Sequence, residues 1–355
     1  MKRNNITAID FFCGAGGLTH GLRKAGIDVV KGIDIDGSAK KTYESNNPGS
    51  KFIKKDIRKV TTNHLLTGID RSMNLLLFAA CAPCQPFSTQ NKIKKKRDSR
   101  RSLIEYFAEL VDKVVPDYLI VENVRGFGKN SNVYRRKLIS VLNRKKYKYS
   151  ECIIKAEEYG IPQTRHRYVL VASLHGKIDL PKRMYGPGHR FPYKTVRNAI
   201  EKYPPIAAGT GIDSIPNHKS PKLSELNLER IKIVPRDGGS RSSLPGRLQL
   251  KCHKEYNGHS DVYGRMSWDK PSPTLTCKCN SISNGRFGHP EQSRAISLRE
   301  AAALQTFPDS YVFLGDDTDV ARHVGNAVPV LLSVKLGRSF IKSSSTLNHG
   351  FHKIS

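Results

Sequence analysis

Residues 75–88 read LLLFAACAPCQPFS. The apolar run Leu75 to Ala80 predicts a buried strand, and Cys81-Ala82-Pro83-Cys84-Gln85-Pro86 ends it abruptly. In an open α/β sheet, ligands bind beyond the carboxyl ends of the parallel strands. Pro83 and Pro86 stiffen the backbone around Cys84 and hold its thiol at that mouth, where a nucleophile would be put. An inert, buried thiol is the competing reading for any cysteine. The strand-end position and the basic sequence around Cys84, which favours thiolate, weigh against it.

The same pattern continues on either side. Residues 6–13, ITAIDFFC, predict a strand that runs into Gly14-Ala15-Gly16-Gly17 and then a helix with Leu18, Leu22 and Ala25 on one face. Val29 to Ile33 predicts a second strand, closed by Asp34-Ile35-Asp36, with a helix over 38–46 and a third acidic strand end at Lys55-Asp56-Ile57. Leu103, Phe107, Leu110, Val111 and Val114 recur at helical spacing before Pro116. Tyr118 to Val121 predicts a strand ending in Glu122-Asn123-Val124, followed by a helix around 133–144 and strands over 148–154 and 167–173. This alternation predicts an α/β fold built on a βαβ sheet. It breaks near Pro181, and from there to about Asp261 the chain is rich in Pro, Gly, Ser, Arg and Lys, which predicts a second, loop-heavy domain. Helices are expected again over 295–308 and 320–341.

The 355 residues suffice for one large or two unequal domains. Sixty Lys and Arg against 31 Asp and Glu leave a formal charge of +29, a balance that fits a polyanion partner and not a small-metabolite enzyme. A lysine-rich compositional bias is the plainer explanation of charge alone. Seven scattered cysteines predict reduced thiols in place of a disulfide framework. Cys81-x2-Cys84 and Cys277-x-Cys279 lack a second CxxC or a nearby His pair, so no metal is expected. Neither a secretory signal nor a membrane span is expected from the sequence, and a cytoplasmic location is.

The glycine loop after the first strand is a setting in which backbone amides bind a nucleotide-like or carboxylate ligand, although a tight structural turn reads equally well. Asp34, after strand two, suits a ribose diol, and Asp56, after strand three, can accept from an adenine amine. No Walker lysine motif is present, so an adenosine-containing ligand without a phosphate requirement fits better than a triphosphate. Glu122, at a neighbouring strand end, can act as an acid if held in a desolvated site. Arg165 and Arg167 alternate along Gln163-Thr164-Arg165-His166-Arg167 and are expected on one face, as phosphate or carbonyl binders or as a solvated edge. Lys92, Lys94, Lys95, Lys96, Arg97, Arg100 and Arg101 follow Cys84, as a solvated run or as a lid that grips a phosphate backbone.

Taken in order, these stretches resemble the cytosine-C5 DNA methyltransferase family over nearly the whole chain. The matching segments are Asp10-Phe11-Phe12-Cys13-Gly14-Ala15-Gly16-Gly17-Leu18, Pro83-Cys84-Gln85, Asp98-Ser99-Arg100, Glu122-Asn123-Val124 and Gln163-Thr164-Arg165-His166-Arg167. Further on come Arg265-Met266-Ser267-Trp268, Pro273-Thr274-Leu275-Thr276, Arg299-Glu300-Ala301-Ala302 with Leu304-Gln305-Thr306-Phe307-Pro308, and Gly325-Asn326-Ala327-Val328. Cys81-Ala82 departs from the family, which more often has glycine or another small or aromatic pair there.

The resemblance implies a Rossmann-like S-adenosylmethionine methyltransferase sheet with a smaller, loop-rich target-recognition domain. The implied limits are 1–182 for catalysis and cofactor, 183–294 for recognition, and 295–355 returning to the first domain. It implies S-adenosylmethionine held by Phe12, Gly14, Gly16, Gly17, Asp34, Ile35, Asp56, Ile57, Pro83 and Asn326. Cys84 would attack C6 of a cytosine flipped out of duplex DNA, Glu122 would donate to N3, Arg167 would hold O2, and Arg165 would support the Glu122 and phosphate geometry. Gln85, Ser88, Arg100, Arg265 and Thr274 would contact DNA, with Arg265 and Thr274 alternatively bracing the recognition region. Arg236, Arg241, Arg247, Lys251 and His253 are candidate base readers. A monomeric bacterial modification enzyme, with a restriction endonuclease as its genetic partner, is expected. An RNA methyltransferase of the same architecture, or a non-catalytic nucleic-acid-binding relative, are the rival readings.

Overall fold

The computed structural model describes residues 5–83, 103–129, 131–250 and 261–350, with main chain alone over 346–350. Cys84, Gln85, Ser88, Arg100, the basic run beside them, Lys251 and His253 lie outside the described residues. The chain divides into two compact units. The first takes the residues up to Lys155, then His166–Lys182 and the chain from Val330; the second takes Ala156–Arg165 and Arg183–Pro329.

The first unit is a seven-stranded sheet: β1 (Asn5–Phe11), β2 (Asp28–Asp34), β3 (Lys51–Lys54), β4 (Asn74–Cys81), β5 (Tyr118–Val124), β6 (Lys148–Lys155) and β7 (His166–Ser173). Its order is β3-β2-β1-β4-β5-β7-β6. The first five strands are parallel, and β7 runs antiparallel to both β5 and β6. Parallel neighbours need a long crossover, whereas antiparallel ones need only a short link; only the 3-10 turn Ala156–Tyr159 lies between β6 and β7, and the two strands form an antiparallel pair. After β3 the chain returns to lay β4 on the other side of β1. That reversal makes the carboxyl ends of β1 and β4 the switch point at which such sheets bind ligands.

The helices in this unit are α1 (Gly17–Lys24), α2 (Lys40–Asn46), α3 (Thr62–Leu66), α4 (Leu103–Val114), α5 (Val133–Arg144) and the long C-terminal helix Val330–Gly350. The apolar stripe of α4 is buried as its spacing predicts. Phe107 packs edge-on against Phe11, which does the same against Phe78, at ring separations of 5.2 and 4.9 Å. α1 meets the C-terminal helix so closely that a Cβ on Gly21 would fall 2.3 Å from that of Ser333.

The second unit has few regular elements among its described residues: helices Val196–Ile200, Glu225–Ile233, Leu298–Leu304 and Asp317–Asn326, and isolated bridges. One of its core clusters joins Ile231, Tyr263, Ile282 and Ala295, and Phe307, Tyr311 and Phe313 pack ring on ring elsewhere in it. Loop backbone leaves buried carbonyls that need donors, and arginine supplies five N–H groups. Arg265 and Arg299, both fully buried, do this work: Arg299 donates to the carbonyls of Pro216, Pro308 and Tyr311.

The helix expected over 320–341 is two helices, broken at Ala327-Val328-Pro329, because proline lacks an N–H and disfavours helix in the residue before it. The break coincides with the boundary between units. Residues 295–329 therefore cluster with the second unit and only the last helix with the first, a division different from the one expected at 294/295.

Candidate active site

The end of β1 leads into a tight loop. Phe12 adopts a left-handed backbone (φ 60°), and its N–H donates to the carbonyl of Ile33 at 2.8 Å. Gly16 takes φ 88° at the N-cap of α1, a conformation that only glycine adopts without strain. Gly17 then opens the helix. The N–H of Gly14 donates to Asp34 Oδ2 at 2.8 Å, and that of Asp36 to Asp34 Oδ1 at 2.9 Å. Asp34 thus ties the turn after β1 to the end of β2.

Beside this loop is a cavity of about 220 Å³ lined by Phe11, Phe12, Ile33, Asp34, Ile35, Lys55, Asp56, Ile57, Arg58, Pro83 and Leu103. Six of the ten residues expected to hold the cofactor are in that wall: Phe12, Asp34, Ile35, Asp56, Ile57 and Pro83. Ile35 is 63% exposed, an apolar face open at the rim. Asp56 caps the turn after β3 by accepting from the Arg58 N–H at 3.0 Å, and the Arg58 guanidinium pairs with it and holds its carboxyl below the usual range. Apolar walls with carboxylates after β2 and β3 suit an adenosine group: a flat base between hydrocarbon surfaces, with acceptors for ribose hydroxyls and an amine. Leu103, Lys55 and Arg58 were not legible as part of this wall, since only packing brings α4 and the turn after β3 to the mouth of β1.

Asn326 belongs to the second unit, where its Oδ1 accepts from the Cys277 thiol at 3.0 Å. Cys279 is buried, with its thiol 3.7 Å from the carbonyl of Ala321.

Under the glycine loop, Asp10 is fully buried, and Oδ2 accepts from the Thr19 hydroxyl at 2.7 Å. Thr19 also meets the Tyr43 hydroxyl at 3.1 Å, which in turn meets Ser50 at 2.7 Å. Burial pushes the Asp10 carboxyl up to about 7.

Three strands of the same sheet arrange a second group of residues. β4 and β5 are in register with Cys81 opposite Glu122, and β5 pairs β7 with Val124 opposite Arg167. Glu122 is 3% exposed. Its Oε2 accepts from the Cys81 thiol at 3.0 Å, and Arg167 Nε lies 3.2 Å from its Oε1. The latter contact is an ion pair without a well-aligned hydrogen bond, so Oε1 retains accepting capacity. Asn123 accepts from the Val124 N–H at 2.8 Å and reaches the Ala82 carbonyl at 3.5 Å, next to the Pro83-Cys84 step.

Arg165 and Arg167 fall in different units. Arg165 precedes β7 and lies in the second unit, 3% exposed. It donates to the carbonyls of Leu275, Gly325 and Ala327 at 3.2–3.3 Å, drawing together two of the segments that carry the family resemblance. A Cβ on Gly325 would stand 2.0 Å from the Thr276 carbonyl, which shows how close those segments run. Within the first unit, the contact on Glu122 comes from Arg167.

Arg265 is 1% exposed and donates to the carbonyls of Ile231, Val234, His289 and Gln292 at 2.6–3.0 Å. Its expected DNA contact gives way to the bracing alternative, because the whole guanidinium is committed inside the unit. Thr274 donates to the Thr164 carbonyl at 2.6 Å, also a brace, and its oxygen can still accept. Among the expected base readers, Arg236 and Arg247 are exposed and Arg241 is half-buried. Arg247 pairs with Glu229.

The model of the C-5 cytosine-specific DNA methylase family matches residues 6–342. The chain is 41% identical to the type II methylase M.HgiDII of Herpetosiphon aurantiacus, over 97% of this chain and 96% of that protein. It is 32% identical to the type II methyltransferase M1.HphI of Haemophilus parahaemolyticus, over 96% and 88%. Among solved structures it resembles S. pombe Dnmt2 methyltransferase, with a TM-score of 0.64 at 18% identity over 97% and 99% of the two chains; at that identity the likeness concerns the fold. Sheet, glycine loop and strand-end residues agree with the sequence match: the chain belongs to the C-5 cytosine-specific DNA methylase family and is a DNA (cytosine-5-)-methyltransferase.

Proposed function

We propose that this enzyme is the modification methylase of a bacterial type II restriction-modification system, acting as a monomer on chromosomal or plasmid DNA in the cytoplasm. The family match and relatives described as type II methylases support this reading. S-adenosylmethionine supplies an electrophilic methyl group. The cavity beside Phe12, Asp34, Ile35 and Asp56 has the apolar walls and acceptors to hold its adenosine portion.

The target cytosine leaves the duplex, since C5 and C6 are out of reach inside the stack. Cys84 thiolate adds to C6, forming the C6–S bond while the C5=C6 pair shifts toward the ring nitrogen, and Glu122 delivers a proton to N3. Arg167, already seated on Glu122, takes O2 as charge builds there. C5 would then take the methyl group that S-adenosylmethionine supplies, the donor's sulfonium becoming a thioether. Loss of the C5 proton to solvent expels Cys84 as thiolate, and the N3 proton returns to Glu122, which restores the aromatic ring as neutral 5-methylcytosine. Residues 183–294 would read the DNA sequence, with Gln85, Ser88 and Arg100 near the extruded nucleotide.

The observation that carries this reading is the Glu122–Arg167 pair at the carboxyl end of β5, opposite the strand that leads into Pro83-Cys84. Cys84→Ser is expected to abolish methyl transfer to plasmid DNA while binding to DNA in gel shift persists. Retained turnover sinks the covalent mechanism, and methylation of tRNA but not plasmid by the native protein sinks the DNA assignment. Bisulfite sequencing of DNA from expressing cells identifies the cytosine.

A further inference from the structure

The mechanism leaves one contact at Glu122 unused. The carboxyl group of a glutamate rotates about a terminal torsion with little preference of its own, so outside contacts set its plane. Here two strands supply them from different sides: Arg167 on β7 holds Oε1, and Cys81 on β4 donates to Oε2 at 3.0 Å. Register dictates the second contact. In a parallel pair, residues directly opposite project to the same face, and Cys81 stands opposite Glu122 at the last rung of the β4–β5 ladder. Glycine at that position would have no group to offer, so a side chain with a polarisable donor there changes what the carboxyl can lean on.

We propose that Cys81 is a positioning residue for methyl transfer: its thiol fixes the carboxyl plane of Glu122 so that Oε2 faces the ring nitrogen it protonates. A thiol is a weak donor and a weak acceptor, so it holds Oε2 with or without the proton and gives way easily as that proton moves. Cys81 touches neither substrate nor methyl donor in this role and acts only through Glu122. The inference rests on the assignment of Glu122 as proton donor.

The test is a double-mutant cycle on the full chain, with methyl transfer from labelled S-adenosylmethionine to plasmid DNA as the readout. Cys81→Ala is expected to lower kcat about tenfold, because a donor held loosely by one contact spends less time in line. KM for DNA and for S-adenosylmethionine stays unchanged, and so does the melting temperature, since Ala79 and Ala80 already show that the strand tolerates a methyl group. Cys81→Ser, which keeps a donor on the same carbon, is expected to recover most of the loss. In a Glu122→Gln background, Cys81→Ala is expected to cost nothing more. A native kcat for Cys81→Ala, or a tenfold loss that persists when Glu122→Gln is already present, overturns the role of Cys81. If Glu122→Gln itself leaves kcat at the native level, the assignment of Glu122 fails, and the inference falls with it.

Discussion

Each unit of this protein holds a buried carboxylate paired with a guanidinium, and two of these pairs, Glu122–Arg167 and Glu300–Arg294, are built differently. In the second unit, Glu300 and Arg294 are each 1% exposed on the side chain, with two parallel hydrogen bonds of 2.7 and 2.8 Å. Ser297 adds its N–H to Oε2 at 2.7 Å in a capping box at the start of helix Leu298–Leu304. Every acceptor is filled by the fold itself, in the bidentate geometry that makes such pairs strong. In the first unit, Glu122 has one ion contact from Arg167 and one weak thiol donor, and the arginine side chain is 15% exposed. That pair is left partly unsatisfied at a strand mouth, where a ligand would complete it. A closed pair holds structure; an open one is available for chemistry.

The contrast breaks most sharply under substitution. Glu122→Ala is expected to cut kcat by roughly 10²–10⁴, the usual worth of a positioned acid, with little change in melting temperature. Arg294→Met is expected to do the reverse: breaking a buried pair on one side costs about 3–5 kcal/mol, seen in chemical denaturation. Burial opposes the ionised form of Glu300, and the hydrogen bonds and charge of Arg294 outweigh it, so its carboxyl lies below the ordinary 4.5. That stability is present above 4.5 and is lost as pH falls through the folded value. If Glu122→Ala melted the protein and Arg294→Met spared it, the division into open and closed pairs would be wrong.

A smaller effect sharpens the cofactor side of the open region. Ile35→Ala removes apolar surface at the rim of the cavity, and about 1–2 kcal/mol of binding is expected to go with it. The dissociation constant of S-adenosylhomocysteine, measured by calorimetry, should rise roughly tenfold. Unchanged affinity would place the adenine elsewhere.

The smallest expected effect is at Asp10. Its folded value of about 7 lies above the ordinary 3.8, so the folded state binds more protons between those values. The stability it contributes is complete below 3.8 and is lost as pH rises through about 7. Asp10→Asn is expected to flatten that decline by ~2 °C in melting temperature between pH 5 and 7.5. An identical slope in both proteins would mean that Asp10 ionises as it does in solvent.

Much of this was legible in the chain itself. Apolar runs ending in Gly14, Asp34, Asp56 and Glu122 located the strand ends, because a buried strand must stay apolar until it reaches the crevice. The motifs identified the family through their order. The turn at Gly16 follows from local backbone geometry, and so does the Pro329 break, which the reading of one helix over 320–341 overlooked. Alternation along the chain put Arg165 and Arg167 on one face, but it could not say which partners each one takes. Arg165 spends its donors on carbonyls of Leu275, Gly325 and Ala327, far away in sequence, while Arg167 reaches Glu122 through the antiparallel pairing of β7. Arg265 read as a contact for DNA or as a brace, and its burial turns it inward. The meeting of Cys81 with Glu122 follows from the register of two strands whose residues lie far apart in the chain. The sequence by itself determined which residue types stand at the strand mouths, a property of local patterning. Only the tertiary structure decided which of them touch, since that depends on strand order, register and the carbonyls that packing leaves in need of a donor.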